Sequence, residues 1–567
     1  MLFGDQENPK VISWGNPGIA SGNPRQSARL AAGRRTDNAD YLRTYVPVIT
    51  AATADYRVQP VRVDTATRLS MTYVSMATEH LPERFGGSYR GRVYAVDANG
   101  QLQGWGHNPA SAGDIRNPDV FADYVFKSPI LLSSSDDRAA NSRVVSFKKV
   151  VSYQSQPHGG LLALSDSGVL YGTDSVSLDN AGSAATASFD VMRPVSTQAW
   201  KDVVTFGALS EIVMAIRDDG TLWTTGPLRS SAANQTSQLK GIVSAVYLSQ
   251  PHTQSTLKSN SISYIVSNPA SGGRRLTFSV ERKTETSAYE VTRVSESGLF
   301  YTSDPILTLG PTENTTNPPV VRLEMMPETG WEQLSASNEN VLLLNRSGGV
   351  SKVFVGYYNA TPQDFMPTEP ELSGIRGISE IRHLPGASDH TANPYKDVVA
   401  VHMAQGVFDG PVSRSPASAF FIRGTQSTSK SNLLALGDNL FGQLGVGSTA
   451  AIVRTPTEVP SPDSKDFIVK RVASSRMNTF VIREGDDLPG FEGTHVQHLY
   501  TAGSPQFSGG TTATANIRRF TPVLGVNGTA SKWEHVFAFG EYEADYTART
   551  VALHFASYST VPADVVQ

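Results

Sequence analysis

Residues 163–174 read ALSDSGVLYGTD, and four further stretches repeat the phrase: AVDANGQLQGWG (95–106), AIRDDGTLWTTG (215–226), RVSESGLFYTSD (293–304) and LLNRSGGVSKVF (343–354). Each opens on apolar residues, breaks at a polar turn carrying Gly, and resumes as a second short run. The turn glycines are Gly100, Gly168, Gly220, Gly298 and Gly348, which lie 68, 52, 78 and 50 residues apart. Recurrence on this scale means an array of one supersecondary unit. Asp97, Asn99, Asp166, Asp218 and Asp219 are short polar side chains that bond their own backbone in turns, and the Gly that follows takes positive φ without steric cost. Flanking runs such as 161–164 and 169–171 are therefore expected to pair as antiparallel hairpins. Acidic residues that recur at equivalent turn positions read as hairpin punctuation in preference to metal or acid–base chemistry.

Upstream of each hairpin runs a second phrase: an aromatic, two or three polar residues, then a small apolar strand. It reads FKKVVS from Phe147, WKDVVTFG from Trp200, WEQLSA from Trp331 and WEHVFAFG from Trp533. Of the six tryptophans, Trp200, Trp331 and Trp533 open this phrase, whereas Trp14, Trp105 and Trp223 sit in the second strand of the hairpin. Large aromatics at equivalent repeat positions are expected to pack between neighbouring units. A stacking platform for sugars or bases is the sharper alternative.

Residues 432–459, NLLALGDNLFGQLGVGSTAAIVRTPTEV, carry the most specific pattern in the chain. Gly437, Asp438 and Asn439, then Gly442, Gln443, Leu444 and Gly445, then Gly447, Pro456 and Val459 resemble the signature of the regulator of chromosome condensation family. Residues 498–523 and 104–118 keep parts of it. The resemblance implies a closed β-propeller and makes the signature residues structural. It also implies binding of other proteins through one rim or face.

Residues 11–18, with Pro47 and Val48 downstream, read as the second half of a repeat without a first. Residues 533–555 read as a first half without a second. A ring joins the two into one blade and so removes the exposed sheet edges that invite aggregation. The expectation is an all-β, closed propeller of seven or eight four-stranded blades forming a single domain over residues 1–567. Residues 1–58 would be the N-terminal closing segment, 59–530 the repeats, and 531–567 the C-terminal closing half-repeat. The eighth unit is the least regular, within 242–312, where the spacing is stretched. Segments 107–145, 250–292 and 383–430 are rich in Ser, Asn, Gly and Thr and are expected to project as loops, where recognition usually sits.

Composition narrows the chemistry. Lys plus Arg is 48 and Asp plus Glu is 52, a net charge of −4, which gives no field for nucleic acid or an anionic membrane. The pairs Arg34–Arg35 and Arg274–Arg275 read as solvated surface. With Cys at 0, disulfides, thiolate zinc sites and Cys nucleophiles are excluded. The first residues, MLFGDQENPKVISWG, show no apolar signal core, and no window is apolar enough to span a bilayer as a helix. There is no phosphate loop, dinucleotide fingerprint or nucleophile elbow. His495 and His498 lie three apart, on opposite faces of a strand, so a shared metal is not expected. The other histidines are scattered, and His80 and His158 sit where the first-half phrase suits a structural His. A pair of glycosidase carboxylates would require folding to bring them across a cleft, and nothing in the pattern favours one.

The sequence thus points to a non-enzymatic structural or protein-interaction scaffold without cofactor or metal. Its partners would be other proteins of the same assembly, engaged through the three loop segments. Its style suggests a component of a bacteriophage virion or tail, located in the virion, or else in the cytoplasm. Two alternatives follow from the family resemblance: a nucleotide-exchange factor for a small GTPase, and an inhibitor-type binding protein acting through a propeller face. The exchange-promoting insertion of the former has no counterpart here, and the secreted setting of the latter lacks a signal peptide.

Overall fold

The structure is a computed structural model. It describes residues 10–16, 61–62, 73–81, 90–106, 130–131, 133–134, 145–155, 158–172, 191–206, 212–225, 240–241, 246–248, 259–266, 274–281, 290–294, 321–322, 329–337, 340–357, 378–381, 393–404, 408–409, 413–414, 417–424, 430–463, 465–475, 477–488, 491–505, 515–523, 531–543 and 549–560. Every named element among them is a β-strand.

The hairpins form where the turn chemistry demands. Asn99 N and Gln101 N both donate to Asp97 Oδ1 at 2.9 Å, and Gly100 closes the turn at φ +79°. Gly168, Gly220 and Gly348 take φ of 84°, 79° and 65° at the equivalent points, and Leu170 and Tyr171 pair with Leu164 and Ala163 in register. Gly298 lies outside the described residues.

Among the described residues, seven of the sheets follow one another in a closed circle. Sheet 1 has strands Tyr73–Leu81, Arg90–Asp97, Leu102–Gly106 and Ile130–Leu131. Sheet 2 has Phe147–Ser155, His158–Ser165, Leu170–Gly172 and Val191–Pro194, with Ser133–Ser134 added in parallel. Sheet 3 has Trp200–Phe206, Ile212–Arg217, Leu222–Thr224 and Lys240–Gly241, and sheet 4 has Trp331–Ala336, Asn340–Ser347, Val350–Tyr357 and Ile378–Glu380. Sheet 5 has Val398–Met403, Ser418–Arg423, Leu433–Asp438 and Ile452–Glu458; sheet 6 has Ile468–Ser474, Asn478–Leu488, Phe491–Gly503 and Ile517–Pro522. Sheet 7 joins the ends of the chain: Ser531–Glu543 and Arg549–Thr560 are followed by Lys10–Asn16 and Val61–Arg62. Its central ladder runs from Lys10↔Tyr558 to Asn16↔Ala552, so the N- and C-terminal segments share one blade of a β-propeller. The outer strand of that blade is Val61–Arg62, paired with Ser13 and Ile12, and Pro47 and Val48 lie outside the described residues.

The first strand of each sheet packs against the first strand of the next, and sheet 7 returns to sheet 1. In sheets 2, 4 and 5 the free edge of the inner strand is bonded by a side chain from the preceding sheet. Val150 N donates to Ser75 Oγ (3.0 Å), Leu334 N to Asp202 Oδ2 (2.8 Å) and Val401 N to Gln333 Oε1 (3.0 Å). The two sequence phrases meet here. Phe147 N donates to Gly100 O, Trp200 N to Gly168 O and Trp331 N to Gly220 O, at 2.8, 2.7 and 3.3 Å. The turn glycine of one unit thus receives the opening aromatic of the next. The apolar core is correspondingly divided into layers between sheets. One layer sets Phe206, Met214 and Leu222 of sheet 3 against Trp331, Leu343 and Phe354 of sheet 4.

Three sequence expectations change. Segment 383–430 is not a projecting loop: it holds Val398–Met403 and Ser418–Arg423, the two inner strands of sheet 5. Val398, Val401, Phe420 and Phe421 are buried there; polar flanks mask their short apolar runs. Segment 250–292 contains the strands Ser259–Val266 and Arg274–Glu281, paired in unbroken register from Ser259↔Glu281 to Val266↔Arg274. With Val246–Leu248, Glu290–Val294 and Val321–Arg322 they make a five-stranded sheet of their own. In segment 107–145 the outer strand of sheet 1 and the added strand of sheet 2 fall at 130–131 and 133–134.

Candidate interaction face

All seven inner strands carry the same irregularity. The register with the second strand shifts once, between Tyr73/Ser75, Phe147/Lys149, Trp200/Asp202, Trp331/Gln333, Val398/Ala400, Val469/Arg471 and Trp533/His535. A bulge inserts one residue that opposes none and re-aims the side chains beside it. The inserted residues are Val74, Lys148, Lys201, Glu332, Val399, Lys470 and Glu534. Lys148, Lys201, Val399 and Lys470 are exposed and the other three are half-buried. Each lies within three residues of the start of its inner strand, and in sheets 2, 3 and 4 the residue before it is bonded to the turn between second and third strands of the preceding sheet. One end of the ring therefore presents seven chemically varied side chains at one repeated backbone position.

The residues after the bulges are Ser75, Lys149, Asp202, Gln333, Ala400, Arg471 and His535, and the first four bond across the seam between sheets. Lys149 Nζ meets Asp202 Oδ1 at 2.6 Å, and the same oxygen accepts from Val203 N at 2.9 Å. Burial and, secondarily, the nearby Arg471 hold the His535 imidazole down to about 4. Burial alone does the same to His402 on the inner strand of sheet 5. His498 in sheet 6 is lowered to about 4 by burial and by Arg483.

The residues singled out in the sequence are used internally. Trp200, Trp331 and Trp533 are 2, 1 and 3% exposed, each packed across a seam onto the preceding sheet. Rings this buried offer no platform to a base or sugar. Trp200 Nε1 donates to Ser196 Oγ at 3.0 Å, and its ring meets Trp223 edge-on at 5.8 Å. Trp223 in turn carries the Arg217 guanidinium over its face at 5.7 Å. Trp14 and Trp105 lie on described strands, opposite His554 and Val93.

The signature loop is a clamp between sheets 5 and 6. Asp438 Oδ1 accepts from Leu440 N, and Gln443 Oε1 from Phe441 N. Asn439 accepts from Leu444 N and donates to Ser448 O and Ala450 O. Gly442 and Gly445, at φ +80° and +69°, let the loop lie on Arg518 and the Phe520 ring of the neighbouring sheet. Gly447 N donates to Arg518 O at 2.7 Å. Leu444 is fully buried beside Phe520, and Pro456 sits in the outer strand Ile452–Glu458, where a missing donor is tolerated. In sheet 6, Arg483 is buried between the rings of Phe467 and Tyr500. It reaches Asp463 with two nitrogens at 2.8 and 3.1 Å. This is a satisfied structural cation.

Among the described residues no group of three or more His, Asp or Glu side chains is placed to hold a metal. His495 and His498 occupy one strand opposite Asp486 and Arg483. No described helix could cross a membrane.

No family model matches the chain, and no curated protein matches it. Among solved structures it is similar to human WBSCR16, with a TM-score of 0.48 at 10% identity over 97% of this chain and 99% of that one. It is similar also to Prp20p from Saccharomyces cerevisiae, with a TM-score of 0.48 at 10% identity over 99% of this chain and 94% of that one. The Dos1 propeller gives 0.30 at 8% identity over 86% of this chain and 93% of that one.

Proposed function

We propose that the chain is a non-enzymatic protein-interaction scaffold that engages its partner through the end of the ring bearing the seven bulges. One observation carries this reading: the same backbone position recurs in every ring sheet while its side chain changes between Lys, Glu and Val. The residue before each bulge is buried, whereas the inserted ones are exposed or half-buried. Such a surface is large, rigid and free to vary, which suits recognition of another protein. Membership of a large assembly, a virion or tail among them, is the finer form of the same reading.

The test is cross-linking from this face. The chain carrying a photoreactive residue in place of Lys148 or Lys201 is expected to capture a partner from its native source. Lys148→Glu with Lys201→Glu, which leaves the packed frame intact, is expected to lower recovery by tenfold or more. Capture of a small GTPase with faster nucleotide release would favour the exchange-factor reading. Equal recovery by the double variant would remove this face from the interaction.

A further inference from the structure

The seven residues that follow the bulges can be compared seam by seam. At the seam of sheets 2 and 3, a cation from one inner strand, Lys149, is neutralised by a carboxylate from the next, Asp202. At the seam of sheets 6 and 7 the equivalent positions are Arg471 and His535. The inner strands Ile468–Ser474 and Ser531–Glu543 pack together there as the others do. The cation is retained and the anion is replaced by an imidazole.

Arg471 makes no hydrogen bond or ion pair within 4 Å among the described residues, although it is exposed. Its charge is nonetheless disfavoured by partial burial, with Glu534 acting the other way. Glu534 has interactions of its own, and Lys470, the next cation on the strand, is paired with Glu484 at 2.5 Å. His535 is 8% exposed, and its Nδ1 is buried without a hydrogen-bond partner. A buried polar nitrogen left unmatched costs free energy unless something fills the role. The group that would complete both residues is the one Asp202 supplies to Lys149.

We propose that the seam of sheets 6 and 7 is a carboxylate-binding subsite, in which Arg471 pairs with the bound carboxylate and His535 donates its Nδ1 proton to it. A guanidinium accepts a carboxylate with two parallel hydrogen bonds, so Arg is well fitted to the task. The carboxylate belongs either to a small acid or to an acidic side chain of a polypeptide. The subsite stands on the seam geometry and does not depend on which end of the ring binds a protein partner.

The experiment is an NMR titration of the full chain labelled in its histidine rings. Sodium acetate and a short Glu-containing peptide are compared with sodium chloride at matched ionic strength. Acetate or peptide is expected to shift the His535 imidazole resonances saturably and to raise the pH at which that ring titrates; chloride is not. Arg471→Met is expected to weaken the response by about tenfold or more, the loss that goes with one charge-assisted hydrogen bond. His535→Asp would supply the carboxylate from within, as in the sheet 2–sheet 3 seam. It should abolish acetate binding, read from nearby backbone amides, while the chain stays folded. Lys201→Met should change nothing. A response to both ligands assigns a free carboxylate site, and a response to the peptide alone assigns an acidic segment of a polypeptide. No shift with either, or a shift unchanged in Arg471→Met, overturns the proposal.

Discussion

At the scale of single residues, the repeat is enforced by atoms that leave no room. Gly437 ends the third strand of sheet 5 at φ +107°, and a β-carbon built on it would lie 2.0 Å from the Ala417 carbonyl oxygen. Gly503 in sheet 6 stands in the same situation against the Met477 oxygen, at φ +118°. The obstacle is backbone on the adjoining strand, so the neighbour cannot rotate away. Gly437→Ala is expected to destabilise the chain by about 3 kcal/mol, the sum of left-handed strain and a displaced ladder. Urea unfolding would check this, with Gly349→Ala as the comparison, since there a β-carbon meets nothing within 4 Å. Gly437 was legible because Asp438 and Asn439 follow it in the signature stretch. The seam residues were harder to read. Asp202, Gln333 and His535 each stand two places after a Trp, so aligning the Trp phrases brings them into one column. Arg471 escapes that alignment because its strand opens on Val469, and only the bulge reveals the equivalence.

Among elements, the inner strand is the decisive unit, because its outer neighbour bonds it on one side and the adjoining sheet must satisfy the other. Ser75, Asp202 and Gln333 meet that demand with oxygen acceptors. In sheet 7 the equivalent residue is His535, whose Nδ1 is buried without a partner, and the inner strand of sheet 5 carries His402, whose Nε2 is buried likewise. Both rings are held neutral, with folded values near 4, against about 6.5 in an unfolded chain. The unfolded chain therefore binds protons first as the pH falls. The stability tied to these rings is complete above about pH 6.5 and is lost progressively down to about pH 4. For the well-buried His535 alone, moving from pH 7 to pH 5 should cost about 2 kcal/mol. His535→Asn should flatten that part of the profile, as measured by chemical unfolding at a series of pH values; an unchanged slope would mean that the ring protonates without strain. The sequence displayed strands better than it displayed which strand was innermost. Sheets 1 to 4 and 7 open on Tyr73, Phe147, Trp200, Trp331 and Trp533, and four of these phrases could be read directly. Sheets 5 and 6 open on Val398 and Val469, which look like any β-forming residue, and so 398–403 was expected within a projecting loop.

For the whole molecule, the physical question is which sheets the ring needs. Self-pairing of the termini was legible, since a half-repeat at each end leaves few other ways to cover the two edges. The count of units was less so, because RVSESGLFYTSD repeats the hairpin phrase at 293–304 and only Arg293 and Val294 of it lie among the described residues. Trp331 N donates to Gly220 O, and the apolar layer of sheet 3 continues directly into sheet 4. The five-stranded sheet spanning 246–322 is thus bypassed by the core that joins its neighbours in sequence. Its strand pairing also lacks the bulge between first and second strands: Val246–Leu248 meets Ser259–Val266 in straight register. A ring held by seam contacts should tolerate the loss of a unit across which its neighbours already pack together. Replacing residues 246–322 by a short Gly/Ser linker is therefore expected to leave a monodisperse, all-β protein whose melting temperature changes by only a few degrees. Removing residues 1–16 should behave in the opposite way. It exposes the edge of Arg549–Thr560, which pairs with Lys10–Asn16 from Ala552 to Tyr558, and unpaired edges of that kind associate. Size-exclusion chromatography and thermal unfolding of the two deletions side by side distinguish ring members from insertions. Collapse of the 246–322 deletion, with the terminal deletion intact, would place the five-stranded sheet in the ring and require another closure for the chain.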